Sequence, residues 1–187
     1  MSHSCKFRHP PCPMSLSDPT LCSKCELISV VDYNFQRLMS CAPKFAPMDP
    51  GEYRLSVQVW IRCPNLYNLY LLQKRAPTTG YFPSMWAPLT GGVKAGEDTI
   101  TTIKREAKEE LNITLTNLKF LCHNRHEQYI EEVWYAETLS TTFNLQKEEV
   151  ATILFLEPAE LLNYKAQGLL SPNSILPTQL FVEPDAK

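Results

Sequence analysis

A chain of 187 residues, 44% apolar and 20% charged, is long enough to bury the core of one enzyme-sized domain, and this composition excludes a disordered or fibrous protein. A formal charge of -2 supplies no strongly basic surface, so no nucleic-acid partner is expected. The first 30 residues hold no signal-peptide core and no later run is apolar enough to span a bilayer, which predicts a cytoplasmic protein with no membrane partner and, for its seven cysteines, free thiols.

Residues 1–25 stand apart as an extension, with Pro10, Pro11, Pro13 and Pro19 scattered among Ser, His and Cys without helical or strand periodicity. Cys5, Cys12, Cys22 and Cys25, with His3 and His9, raise a zinc site. Only "CSKC" has the close spacing of a ligand pair, so a tail with incidental thiols is the alternative. Residues 26–187 are expected to form the domain proper.

Strand signals begin at "ELISVVDYNFQRLMSC", whose β-branched residues flank Asp32, Tyr33 and Asn34 and predict a hairpin. In "LSVQVWI", Leu55, Val57, Val59 and Ile61 alternate with Ser56, Gln58 and Trp60, which predicts a half-buried strand. "LYLLQKR" pairs with it across "RCPNLYN", and further strands are expected at "LKFLC", "VWYAETL" and "VATILFL". The best helix runs from after Gly96 to about Leu111, with Ile100, Ile103, Ala107 and Leu111 as its apolar stripe. A second starts at Pro158 and stops before Gly168, and "SPNSILPTQLFVEP" suits a short third. Strands interleaved with helices give an α/β layered fold.

The first helix carries Glu106, Glu109 and Glu110 within an arc of about 100°. A solvated acidic face balanced by Lys104, Arg105 and Lys108 is one explanation. Like charges three and four residues apart nevertheless destabilise a helix by roughly 0.2–0.5 kcal/mol per pair. A hard cation such as Mg²⁺, which prefers oxygen ligands and substrate phosphates, would turn that repulsion into binding. The preceding "LTGGVKAGE" lets backbone approach a ligand closely.

The segment "GGVKAGEDTITTIKREAKEELNI" resembles the signature of the Nudix hydrolases, with Gly91, Glu97, Arg105, Glu106, Glu109, Glu110 and Ile113 in register. Ala107 is small for its position and Asn112 replaces the final glycine, a substitution that a left-handed helix end accommodates. The likeness extends over roughly Glu26 to Tyr164 and is similar to the branch nearest isopentenyl-diphosphate isomerase. It implies an α/β/α sandwich around a central mixed β-sheet, Mg²⁺ or Mn²⁺ as cofactor, and hydrolysis of a diphosphate linkage in a nucleoside diphosphate derivative or related organic diphosphate.

By the same resemblance Glu106, Glu109, Glu110 and the carbonyl of Gly91 would hold the metal, and Arg105 would pair with Glu97. The base would be a glutamate of this box or of "KEEV", Glu148 or Glu149. Lys74 and Arg75 are candidates for phosphate contacts, and Phe82 and Trp86 for a base or prenyl chain, with surface and core packing as the alternatives. His123 and His126 read as loop residues bordering the cleft. An isomerase would need a cysteine in "APLTGGVKAGE", which has none, and an inactive binding module would not need the glutamates.

Overall fold

The computed structural model describes residues 26–44 and 47–181, so the extension and its cysteines lie outside the described residues. Nine strands form one curled mixed sheet. Its centre is β3 (Glu52–Cys63), which runs parallel to β8 (Tyr129–Glu137) along one edge. The other edge of β3 pairs antiparallel with β1 (Leu27–Asp32), β6 (Leu89–Gly92) and β4 (Leu69–Arg75) in turn. Around these, β2 (Arg37–Pro43) extends β1, and β5 (Trp86–Ala87) and β9 (Val150–Leu156) flank β4. On the far side, β7 (Thr116–Arg125) flanks β8.

Each face of the sheet has its own apolar core. Leu55, Val57, Val59 and Ile61 pack against Ile103, Ala107 and Leu111 of the first helix. Trp60, Tyr70 and Leu72 pack on the other face, against Leu161 of α2 (Pro158–Ala166) and Leu180 of a short 3₁₀ turn, Thr178–Phe181. Helices on both faces make the expected α/β/α sandwich. They also correct the reading of β3, which is buried on both sides: Gln58 and Trp60 are 1% and 0% exposed, so the polar alternation marks hydrogen bonding within the protein and not a wet face.

The predicted hairpin turns at Tyr33 to Phe35, where Asp32 Oδ1 accepts from the backbone N–H groups of Asn34 and Gln36. Helix α1 (Thr99–Glu106) is capped by Asp98, which accepts from Thr101 N, and continues as a π-turn, Ala107–Leu111. Ile100, assigned to the apolar stripe, is 42% exposed: it sits in the first turn, before the helix reaches the sheet. Asn112 ends the π-turn at φ 55° and ψ 41°, the left-handed geometry expected of it. His123 lies within β7 opposite Glu132, not in a loop, and its ring stacks 3.7 Å from that of Phe35.

The thiols also need a correction. Cys63 and Cys122 are free, but Cys41 is disulfide-bonded: pairing depends on which sulfurs come within bonding reach, a geometry that a count of cysteines does not carry. Among the described residues no helix is long and apolar enough to cross a membrane.

Candidate active site

The π-turn sets the geometry of the acidic helix. Widening the last turn carries Glu110 onto the buried side below Glu106, so these two are 7% and 8% exposed, while the side chain of Glu109 is 48% exposed. The three carboxylates thus divide into a sheltered pair and an outer one. Glu106 lies against β6 at Gly91, where a Cβ would come within 2.3 Å of its Cγ and 2.4 Å of its Oε1. Only glycine leaves that carboxylate its place.

Arg105 ties the box together. Its Nε donates to Glu97 Oε1 at 3.0 Å, its Nη1 to Glu106 Oε1 at 2.8 Å and Glu109 Oε2 at 3.0 Å, and its Nη2 to the Gly92 carbonyl at 3.2 Å. Burial works against its charge, but the surrounding Glu97, Glu106 and Glu109 hold the guanidinium well above its usual pKa. Glu97, though partly desolvated, is pulled below the usual carboxylate range by Arg105 and Thr102.

The sheltered pair behaves in the opposite way. Burial raises the Glu106 carboxyl to about 6 despite Arg105 beside it. Burial, with the charges of Glu106 and Glu149 adding to it, pushes Glu110 up to about 8, although Gln73 Nε2 donates to its Oε2 at 2.7 Å. Two buried carboxylates with too little positive charge nearby are what a divalent cation would relieve.

Both carboxylates line a cleft of about 230 Å³. Its wall also carries Lys44, Arg54, Arg75, Phe82 and Glu149. The loop bearing Glu149 is fastened to the helix end, since Gln146 N donates to the Glu110 carbonyl and Asn144 N to that of Leu111. Glu148 is exposed and does not line the cleft. Arg75 also donates through Nε to the Tyr81 carbonyl at 2.7 Å, which holds the loop carrying Tyr81 and Phe82 over the opening.

Strand alternation separates the other two candidates from this group. Lys74 and Trp86 are absent from the cleft wall: the Lys74 ammonium lies 5.8 Å from the Trp86 ring centroid, and Trp86 packs edge-on to Tyr164 on the α2 face. His126 is outside the cleft wall but its Nε2 lies 3.1 Å from Glu131 Oε2. No described cysteine lines the cleft.

Sequence reasoning did not single out Gln73, Gln58, Arg54, Lys44, Tyr129, Glu131 or Asn173, which hold or line the site. The signal for two of them was present. A glutamine inside each of the apolar runs "LSVQVWI" and "LYLLQKR" has no solvent to face in a buried strand and must meet a polar partner.

Whether these residues suit a metal can be judged from the site itself. The donors are oxygens, which hard cations prefer. Gly91 leaves room for Glu106, and Gln73 Oε1, beside Glu110, is the one buried side-chain N or O without a hydrogen-bond partner among the described residues. Against a preformed site, no group of three or more His, Cys, Asp or Glu among the described residues stands ready for a metal, because Arg105 draws Glu106 and Glu109 to itself. The chemistry of the donor set fits Mg²⁺ or Mn²⁺, provided that Arg105 shares its carboxylates.

Fold and motif together define an α/β sandwich with a carboxylate helix set against a glycine-bearing strand. The chain belongs to the NUDIX domain family, whose model matches residues 52–176. It is similar to Nudix hydrolase 3 of Arabidopsis thaliana, 26% identical over 132 residues that make up 61% of this chain and 17% of that protein. It is also similar to nucleoside triphosphatase NudI of Escherichia coli, 45% identical over 53 residues, or 27% of this chain and 38% of that one. The chain therefore matches well under half the length of either of these curated relatives. In fold it is similar to the crystal structure of DR0079 from Deinococcus radiodurans, with a TM-score of 0.61 and 20% identity, covering 78% of this chain and 92% of that one.

Proposed function

We propose that the chain is a Mg²⁺- or Mn²⁺-dependent pyrophosphohydrolase acting on a nucleoside diphosphate derivative or a related organic diphosphate. The observation that carries this reading is the burial of Glu106 and Glu110 side by side on a cleft wall, at 8% and 7% exposure, with Gly91 cleared to admit them. A pair that costs stability as it stands is explained by binding a cation.

Glu106 and Glu110, with Glu109 and the Gly91 carbonyl, would hold the metal, which supplies charge neutralisation to the diphosphate when bound. Gln73 fixes the rotamer of Glu110, and Arg105 fixes Glu106 and Glu109. Lys44, Arg54 and Arg75, all on the cleft wall, meet phosphate oxygens. Glu149 takes the proton of the attacking water as its oxygen bonds to phosphorus, and the bridging oxygen leaves with the second phosphate. The test is a turnover panel with Mg²⁺ over nucleotide sugars, dinucleotides, oxidised nucleotides and prenyl diphosphates, with phosphorus NMR identifying the broken bond. Conversion of isopentenyl diphosphate to its isomer without phosphate release would overturn the reading.

A further inference from the structure

At the other end of the cleft, across β3 from the glycine-bearing strand, stands a third buried carboxylate. Glu131 is 5% exposed and lines the cleft from β8. The register sets Ser56 of β3 opposite Gly92 on one side and Glu131 on the other. Glu131 is thus two inter-strand spacings, about 10 Å, from the strand that cradles Glu106. That separation leaves room for a nucleoside between a base held here and phosphates held at the helix.

The two oxygens of Glu131 differ. Oε2 lies within hydrogen-bond distance of Gln58 Nε2 at 3.1 Å, Asn124 Nδ2 at 3.0 Å and His126 Nε2 at 3.1 Å. This surrounding locks the side chain. Oε1 has no hydrogen-bond partner among the described residues, yet it is not sealed in, since Gln73 Oε1 is the sole buried side-chain atom in that condition. Asn173 repeats the pattern on the same wall: its Nδ2 donates to the Tyr129 hydroxyl, and no donor among the described residues reaches its Oδ1. The amide of Gln58 is fully used, with Oε1 accepting from Trp60 Nε1 and Ile175 N at 3.2 Å each. Glu131 and Asn173 thus each turn one acceptor oxygen to a ligand, beside the Arg54 guanidinium on the same wall.

We infer that Glu131 Oε1 and Asn173 Oδ1 form a recognition subsite for the N–H edge of a nucleobase, with the base in reach of the Tyr81 and Phe82 rings that line the same cleft. The inference rests on the hydrolase reading of the phosphate end and narrows its substrate class to nucleotides. Acceptors repel phosphate oxygens, and a prenyl chain would cover Glu131 Oε1 without giving it a partner. A site built to bond an N–H discriminates strongly against ligands that lack one.

The test is calorimetric titration of the metal-free full chain with AMP, GMP, CMP, UMP and ribose 5-phosphate, followed by the preferred nucleotide with its base N–H groups blocked by methylation. One nucleotide is expected to bind about tenfold or more tighter than ribose 5-phosphate, and methylation should remove that margin. Glu131→Gln keeps an oxygen for the three surrounding nitrogens and turns an amide NH₂ toward the cleft. It should lose the margin while holding ribose 5-phosphate as before. Equal affinity of the wild type for nucleotides, methylated nucleotide and ribose 5-phosphate would overturn the subsite, and so would an unchanged margin in a folded Glu131→Gln. The methylated ligand decides even if the variant does not fold. Nucleotide binding in this pattern without turnover of any diphosphate would sink the hydrolase reading and keep the subsite. Turnover indifferent to the base would do the reverse.

Discussion

Gln73 donates its amide to Glu110 Oε2 at 2.7 Å from the middle of a buried strand, so a residue 37 positions away from the glutamate decides where that carboxylate points. Gln73→Leu removes the donor and leaves the carboxylate without it. Metal-free melts at pH 9, where Glu110 is ionised, are expected to show a loss of about 1–3 kcal/mol. At pH 5, with Glu110 protonated, the loss should shrink. Equal losses at both pH values would mean that Gln73 acts through packing alone.

Acid–base linkage gives the second prediction. Glu110 titrates at about 8 and Glu106 at about 6 in the folded protein, against 4.5 for an ordinary glutamate. The native state therefore binds more protons than the unfolded state between these values, and stability falls as pH rises. Metal-free unfolding by urea should show stability highest below about pH 4.5 as far as these two groups decide, declining above it by up to about 1.4 kcal/mol per pH unit for each group in its window and levelling above pH 8. Glu110→Gln should flatten the part between pH 6 and 8. A wild-type profile rising through that window would show that the pair is not buried as charges.

Gly91→Ala places a methyl group 2.3 Å from Glu106 Cγ, too close for both to keep their positions. The displaced carboxylate should cost about 10²-fold in turnover, with a stability change of about 1–3 kcal/mol from overpacking. Gly51→Ala, where a Cβ meets nothing within 4 Å, is the control for strain alone: its φ of 83° is unfavourable for alanine, but it touches no part of the site. It should lose stability and keep turnover.

At Asn112, φ is 55°, and a β-branched residue there would be strained in a way that asparagine is not. Asn112→Val should cost about 1–2 kcal/mol, while Asn112→Gly should stay within about 1 kcal/mol of wild type despite losing the Lys108 contact. Thermal melts of the two variants compare them directly.

The sandwich and the carboxylate helix were legible in the sequence because both rest on local periodicity and a dense motif. What was missed depends on pairing between distant strands. Gln58 reads as solvent-facing, and Gln73 gives no reading at all, until β3 and β4 are known to be covered on both sides. Glu131 was hidden because two adjacent glutamates in "YIEEVWY" break the alternation, so β8 was expected to start at Val133 and in fact starts at Tyr129. Lys74 and Arg75 are neighbours that motif reading treated alike, and only the strand's two faces separate them.

Glu110→Gln removes a buried charge beside Glu106, so in EDTA at pH 8 the variant should melt at or above the wild-type temperature. Wild type should gain about 2.7 kcal/mol from Mg²⁺ at 100 times its Kd, and the variant much less. On whichever diphosphate the wild type hydrolyses, the variant should fall by at least about 10²-fold in kcat. Turnover by Glu110→Gln equal to wild type, with Mg²⁺ shifting neither melt, would contradict the metal site.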